Sequence, residues 1–161
     1  MITLRPIRNE DIPAIKSWPQ YPLEFAELDY CLRDGGWLDE YGKKQGSIIL
    51  VAMDHGDVLG FSILFRDGRG SAEFRIALHP MRIGKGSGTI ILRRTLEYCF
   101  ADMSITSVRL IVRKNNLRAQ ALYASFRFAP TGECTEEILG KPVEFFEMEI
   151  DRRTFFLGNR S

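Results

Sequence analysis

Three glycines alternate at Gly84, Gly86 and Gly88, directly after an apolar run ending near Leu78 and directly before an amphipathic stretch that continues to about Ala101. A strand, a turn this rich in glycine and a helix, in that order, restrict the chain to folds in which a sheet passes its backbone to a helix N-terminus. Without Cβ atoms the backbone can turn tightly and let a ligand approach its amides. Those amides converge where unpaired N–H groups and the helix dipole favour an anion. Arg82 and Lys85 add positive charge beside them. A pyrophosphate cradled by Gly84–Thr89 is the expected guest.

Two familiar phosphate loops do not fit. A P-loop needs Ser or Thr directly after its lysine and a glycine five residues before the last one, whereas Gly86 follows Lys85 and position 79 is His79. A dinucleotide fingerprint needs a third glycine at position 89 and an acidic residue ending the next strand; Thr89 and Val112-Arg113-Lys114 stand there instead.

Around the loop the pattern predicts a strand over Ile2–Ile7 and a helix from Asp11 capped by Asn9. Phe25, Leu28 and Leu32 have helical spacing, broken at Gly35-Gly36. Ser47–Met53 and Val58–Phe65 read as a hairpin joined at Asp54–Asp57, and Ala72–Leu78 as its third strand. Ile90, Ile91, Leu96, Cys99 and Phe100 mark the apolar face of the helix after the glycines. Ser107–Val112 is a strand, and Asn115 or Asn116 caps a short helix through Tyr123. Phe126–Pro130 and Glu144–Ile150 close the sheet, with the turn at Gly140-Lys141-Pro142. This order predicts an α/β fold, a single-domain mixed and mostly antiparallel sheet flanked by helices over residues 1–152. Residues 153–161 read as a loosely held tail.

The 161 residues, 45% hydrophobic and 27% charged, suit one soluble domain, and a net charge of +1 offers no bulk attraction to nucleic acid or membrane. Cys31, Cys99 and Cys134 have no metal-ligand spacing among themselves or with His55 and His79, so reduced thiols and no metal are expected. The opening Met1-Ile-Thr-Leu-Arg-Pro lacks the layout of a signal peptide, which points to a cytoplasmic location.

The segment Ala72–Phe128 carries two signatures in order. The first is Pro80-Met81-Arg82-Ile83 followed by Gly84-x-Gly86-x-Gly88. The second is Asn116-Leu-Arg-Ala119-Gln-Ala-Leu122-Tyr123. Together they resemble the core of the GNAT (Gcn5-related N-acetyltransferase) family. Ala72-Glu73-Phe74 and the late Phe146-Glu-Met148 are most similar to its polyamine and ribosomal-protein branches. Ile83 stands where that family usually has glutamine or arginine, and Arg127 where it usually has glycine.

The resemblance implies acetyl-CoA as co-substrate and acetyl transfer to a primary amine by direct attack in a ternary complex. It also implies a splayed strand at Ile76, Ala77 and Leu78 that offers amides to the pantetheine arm, with the Leu78 N–H as oxyanion donor. Tyr123 is the candidate general acid, since a phenol stays protonated at neutral pH and can give its proton to a departing thiolate. Asn116 caps its helix and meets the pantetheine. Glu73 is the candidate base, against the plainer reading of a strand residue paired with Arg75. The coenzyme set is therefore Ile76, Ala77, Leu78, Arg82, Gly84, Lys85, Gly86, Ser87, Gly88, Thr89, Asn116 and Tyr123. His79 reads as the strand end rather than a base.

Tyr21–Gly42 holds six acids against Arg33 alone, and in the resembled family this region walls the acceptor site. With Glu24, Glu27 and Tyr30 as contacts, it suits a cationic, polyamine-like amine; a solvated helix face is the plainer reading. Acetylation of a protein or peptide N-terminal amine, and a coenzyme-A-binding module without turnover, are the alternatives. The expected partners are acetyl-CoA, the amine and at most a second copy of the chain in a homodimer.

Overall fold

The computed structural model describes residues 1–158. Its seven strands are β1 (Thr3–Pro6), β2 (Ser47–Asp54), β3 (Asp57–Arg66), β4 (Ser71–Leu78), β5 (Ser107–Arg113), β6 (Ala129–Ile138) and β7 (Lys141–Asp151). They form one sheet in the order β1-β2-β3-β4-β5-β7-β6, in which only the β4–β5 pair is parallel. The α-helices are α1 (Asp11–Lys16), α2 (Trp37–Gly42), α3 (Ser87–Phe100), α4 (Leu117–Ser125) and α5 (Arg152–Gly158), and a 3-10 segment covers Leu23–Leu32. No described helix is long and apolar enough to cross a membrane.

Period-two alternation along the strands sends side chains to two cores. On one face Leu64, Phe74, Leu110 and Val112 pack against Leu92, Leu96 and Phe100 of α3 and Tyr123 of α4. On the other, Val51, Phe61, Ile63 and Ala77 pack against Ile15, Trp18, Tyr21, Leu32 and Tyr41. Helical spacing of Ile91, Leu92, Thr95, Leu96, Cys99 and Phe100 buries one side of α3; Ile90, expected on that side, is exposed. Inside the sheet–α3 layer, Ser62 and Thr95 satisfy one another through a 2.8 Å hydrogen bond.

Several local expectations change. Asn9 does not cap α1. Asp11 instead accepts the Arg8 N–H at 2.7 Å and both Arg5 terminal nitrogens at 2.7 and 2.9 Å. The Arg5 hydrogen bonds hold the Asp11 carboxyl below its usual range despite burial. The segment after Pro22 forms a 3-10 helix rather than an α-helix. Gly36 sits so close beneath it that a Cβ would lie 2.5 Å from the Tyr30 carbonyl oxygen. Phe126 ends α4 rather than opening a strand, and the last hairpin turns at Leu139-Gly140, both in the left-handed region. Pro142 therefore lies within β7, paired with Glu137 on the edge strand β6.

The expected loose tail is a helix from Arg152 to Gly158 as far as the description runs. Phe155 is 2% exposed and stacks 5.6 Å from Phe100, so apolar burial fixes this segment. Residues 159–161, the rest of that tail, lie outside the described residues.

Candidate functional site

β4 and β5 pair only at Ser71–Ser107, Ala72–Val108 and Glu73–Arg109. From Phe74 onward they part, and β4 keeps a neighbour on its β3 side alone. The His79 N–H donates to the Leu59 carbonyl at 2.8 Å. Alternate residues of an antiparallel ladder bond to the same neighbour, so Arg75 and Ala77 spend their backbone groups on β3 while those of Ile76 and Leu78 face the gap. Ala77 is thereby removed from the expected set of amide donors, although its side of the strand lines the cleft. Tyr21, buried, donates its hydroxyl to the Leu78 carbonyl at 2.6 Å, which leaves the Leu78 N–H as the open group.

The gap widens into a cavity whose walls come from both faces of the sheet. Ile76, Leu78, Gly88, Asn116, Leu122 and Tyr123 line the half beneath α3 and α4. The 3-10 segment, Trp37, Arg75, Arg113 and Phe145 line the other half. Tyr123 is gripped edge-on by Phe74 and Phe128, with ring centroids 6.3 and 5.7 Å away. Asn116 caps α4 by accepting the Ala119 N–H at 3.1 Å. At the other end of α4 the Arg127 N–H donates to Ala124 and the Phe128 N–H to Tyr123, a Schellman closure. It sets Arg127 at φ 73°, the left-handed backbone that favours glycine. The Tyr123 hydroxyl has no hydrogen-bond partner among the described residues, and burial pushes its pKa above the ordinary phenol value.

Gly84 and Gly86 both have positive φ, 82° and 84°. Gly86 is the N-cap of α3 and no side chain caps that helix, so the first-turn amides of Ser87, Gly88 and Thr89 remain available to an anion. Lys85 and Thr89 are exposed beside them. Arg82 turns away, with its guanidinium 3.9 Å from Asp54 at the β2–β3 hairpin. Arg118, which the sequence reading passed over inside its own second signature, takes that place. A Cβ on Gly84 would lie 3.0 Å from its guanidinium, and the group stacks over Phe25. Ile83 turns inward and packs on the apolar cluster around Trp18, which accounts for an apolar residue there.

Glu73 is not among the residues lining the cavity. Its Oε1 accepts from Arg75 at 2.8 Å, so the plainer reading of a strand ion pair describes it and the base role gains no support from geometry. Most of the acidic segment is likewise paired within the protein. Asp29 binds Arg33, Asp34 and Asp39 share Lys16, and Glu27 lies 3.6 Å from Arg113. Glu24 is exposed, and Tyr30 lines the cavity. His79 is structural: its Nδ1 accepts the Met81 N–H at 3.0 Å, its ring lies 5.0 Å from Trp18, and burial depresses its pKa. Cys31 also lines the cavity; its thiol donates to the Leu28 carbonyl, and burial pushes its pKa up to about 12. Among the described residues no group of three or more His, Cys, Asp or Glu side chains could hold a metal ion.

Residues 9–128 match the family model described as Acetyltransferase (GNAT) family. Spermidine N(1)-acetyltransferase of Escherichia coli (strain K12) is 27% identical over 155 residues, which cover 84% of this chain and 77% of the relative. The enzyme of that name from Vibrio cholerae serotype O1 is 34% identical over 67 residues, 42% of this chain and 39% of the relative. Among solved structures, spermidine N-acetyltransferase from Vibrio cholerae in complex with CoA and spermine superposes with a TM-score of 0.72 at 22% identity, covering 96% of this chain and 98% of that one. A mutant form of the spermidine/spermine N-acetyltransferase from the same organism gives 0.76 at 23% identity, over 99% and 100%.

Proposed function

Because this chain belongs to the acetyltransferase (GNAT) family, we propose that it transfers the acetyl group of acetyl-CoA to a primary amine inside the cleft between β4 and β5. One observation carries the reading. The lost β4–β5 pairing leaves the Ile76 and Leu78 amides unspent in the same cavity as the hydroxyl-bearing Tyr123.

The residues divide the work as follows. The positive-φ turn at Gly84 and Gly86 and the uncapped start of α3 bind the pyrophosphate. Arg118 supplies the cationic side chain that Ile83 cannot. The Ile76 N–H orients the pantetheine arm, and the Leu78 N–H stabilises the oxyanion as the amine adds to the thioester carbon. Tyr21 keeps the Leu78 carbonyl satisfied, so the strand end holds its direction. Tyr123 gives its proton to the sulfur as the carbon–sulfur bond breaks; the attacking nitrogen sheds one proton to solvent as the amide forms, and solvent returns one to the phenolate. Among the described residues no carboxylate lines the cavity. The amine therefore enters as the free base, its proton left to solvent, and kcat/KM rises with pH toward the amine's own pKa.

Cys31 does not serve as a covalent carrier, because a thiol raised to about 12 stays protonated and unreactive at neutral pH. Transfer is direct, within a ternary complex. The test is thiol release from acetyl-CoA with a panel of amines, at varied concentrations of both substrates. Intersecting initial-rate lines are expected. Acetyl-CoA that binds but releases thiol with no amine would leave a coenzyme-binding module; parallel lines would require an acyl-enzyme.

The names of the relatives favour a polyamine acceptor, as did the acidic segment. The charges that line the acceptor half of the cavity favour another.

A further inference from the structure

The charged side chains lining the whole cavity are Arg75, Arg113 and Arg118, with no carboxylate among them. Arg118 belongs to the glycine loop. The other two stand on the acceptor half, on strands β4 and β5 either side of the gap, and aromatic rings hold them in place. Arg75 lies over Trp37 and Tyr41, 5.2 and 5.6 Å from their centroids. Arg113 lies 6.0 Å from both Tyr30 and Phe145.

Both keep donors that no described residue accepts from, and since no buried side-chain nitrogen or oxygen among the described residues lacks a partner, those donors are accessible. The Arg113 side chain is 10% exposed, yet its contacts are one hydrogen bond to the Glu27 carbonyl at 3.2 Å and a loose 3.6 Å approach to the Glu27 carboxylate, itself 41% exposed. Arg75 spends Nε on the Tyr41 hydroxyl and one terminal nitrogen on Glu73, and its other terminal nitrogen makes no hydrogen bond among the described residues. A guanidinium carries five donors, and the ones left open here are free to meet a ligand. Two such forks opening on one apolar, ring-lined chamber suit a carboxylate, which each can grip with two parallel bonds. A polycation in the same chamber meets like charge, with no Asp or Glu among the described lining residues.

Given the acetyltransferase reading, on which this rests, we infer that the acceptor is an amine that carries a carboxylate, held by Arg113 and Arg75 so that its amino group points toward the thioester.

The experiment uses amino acids with one to five carbons between amine and carboxylate, each beside its own amide, and spermidine. Thiol release is measured on the whole chain, and binding to the CoA-loaded protein is measured by calorimetry. At the spacing that fits, kcat/KM for the acid exceeds that for the amide by about tenfold or more, the usual worth of a charged hydrogen bond. Arg113→Gln collapses this ratio toward one, mainly through KM, while acetyl-CoA affinity holds; Arg113→Lys keeps part of the preference, which separates lost charge from lost fold. Acids and amides that perform alike at every spacing, or spermidine turned over faster than every acid, overturn the inference and leave the acetyltransferase reading standing. If acetyl-CoA binds and no amine releases thiol, the catalytic reading falls alone. Calorimetry then decides this one: tighter binding of acid than amide sustains it, and equal binding overturns it.

Discussion

Tyr123 is held by shape rather than by its hydroxyl. Phe74 and Phe128 clamp the ring, and the Schellman bonds at Arg127 and Phe128 fix the backbone beneath it. Tyr123→Phe should therefore keep the thermal midpoint and the affinity for acetyl-CoA. It should lower kcat by about 10²–10⁴-fold, the usual worth of a positioned acid. Burial keeps the phenol protonated past its ordinary range, so the wild-type alkaline limb lies above that range and the variant lacks it. Full activity in a folded variant would leave the thiolate to take its proton from water. Tyr123 and Asn116 were legible in the sequence because their geometry is local, an N-cap and the helix it starts. Arg75 and Arg113 were not, because their meaning depends on two strands parting and on which face each side chain takes. The Glu73–Arg75 pair, the plainer reading of Glu73, follows from period two, which puts residues i and i+2 on one face. The acids at Asp29, Asp34, Asp39 and Glu27 read as free charge until the fold supplied Arg33, Lys16 and Arg113.

At the scale of elements, the glycine loop and α3 form one device. Space around Gly86 is open, so a side chain there meets no neighbour, but φ of 84° penalises any L-residue and a branched one most. Gly86→Val should weaken acetyl-CoA binding by calorimetry at least tenfold with the fold retained, because the turn must shift and take the α3 amides off their target. Unchanged affinity would remove the loop from the site. The hairpin at His55-Gly56 and the cap at Asn116 match their sequence signals. The 3-10 form of residues 23–32 did not show in the sequence: apolar spacing of three or four residues fits both helices, and the choice was made by Gly36 packing under the Tyr30 and Cys31 carbonyls. β6 ran longer than expected because an exposed edge strand carries little apolar pattern to count.

For the whole molecule, element order sufficed to predict a mixed sheet flanked by helices, since short connections and alternating patterns leave few arrangements. The gap in that sheet has no such signature; a strand that parts from its neighbour looks, residue by residue, like one that does not. The tail was misjudged over its described part, where Phe155 packs on Phe100 and Arg152 bonds the Asp102 and Ile105 carbonyls. Phe155→Ala should cost about 3–5 kcal/mol, as for other fully buried aromatics, and lower the urea midpoint accordingly. A shift near zero would return the segment to a loose tail. The three-rung join between β4 and β5 also has a mechanical meaning. The sheet is two plates riveted along one short seam, with the Leu78 amide near the free edge of one plate and Tyr123 on the helix that follows the first strand of the other. A small rotation about the rivets changes the distance between the Leu78 amide and Tyr123, the proposed oxyanion donor and acid. The stiffness of Ser71–Glu73 against Ser107–Arg109 therefore sets the working tolerance of the site.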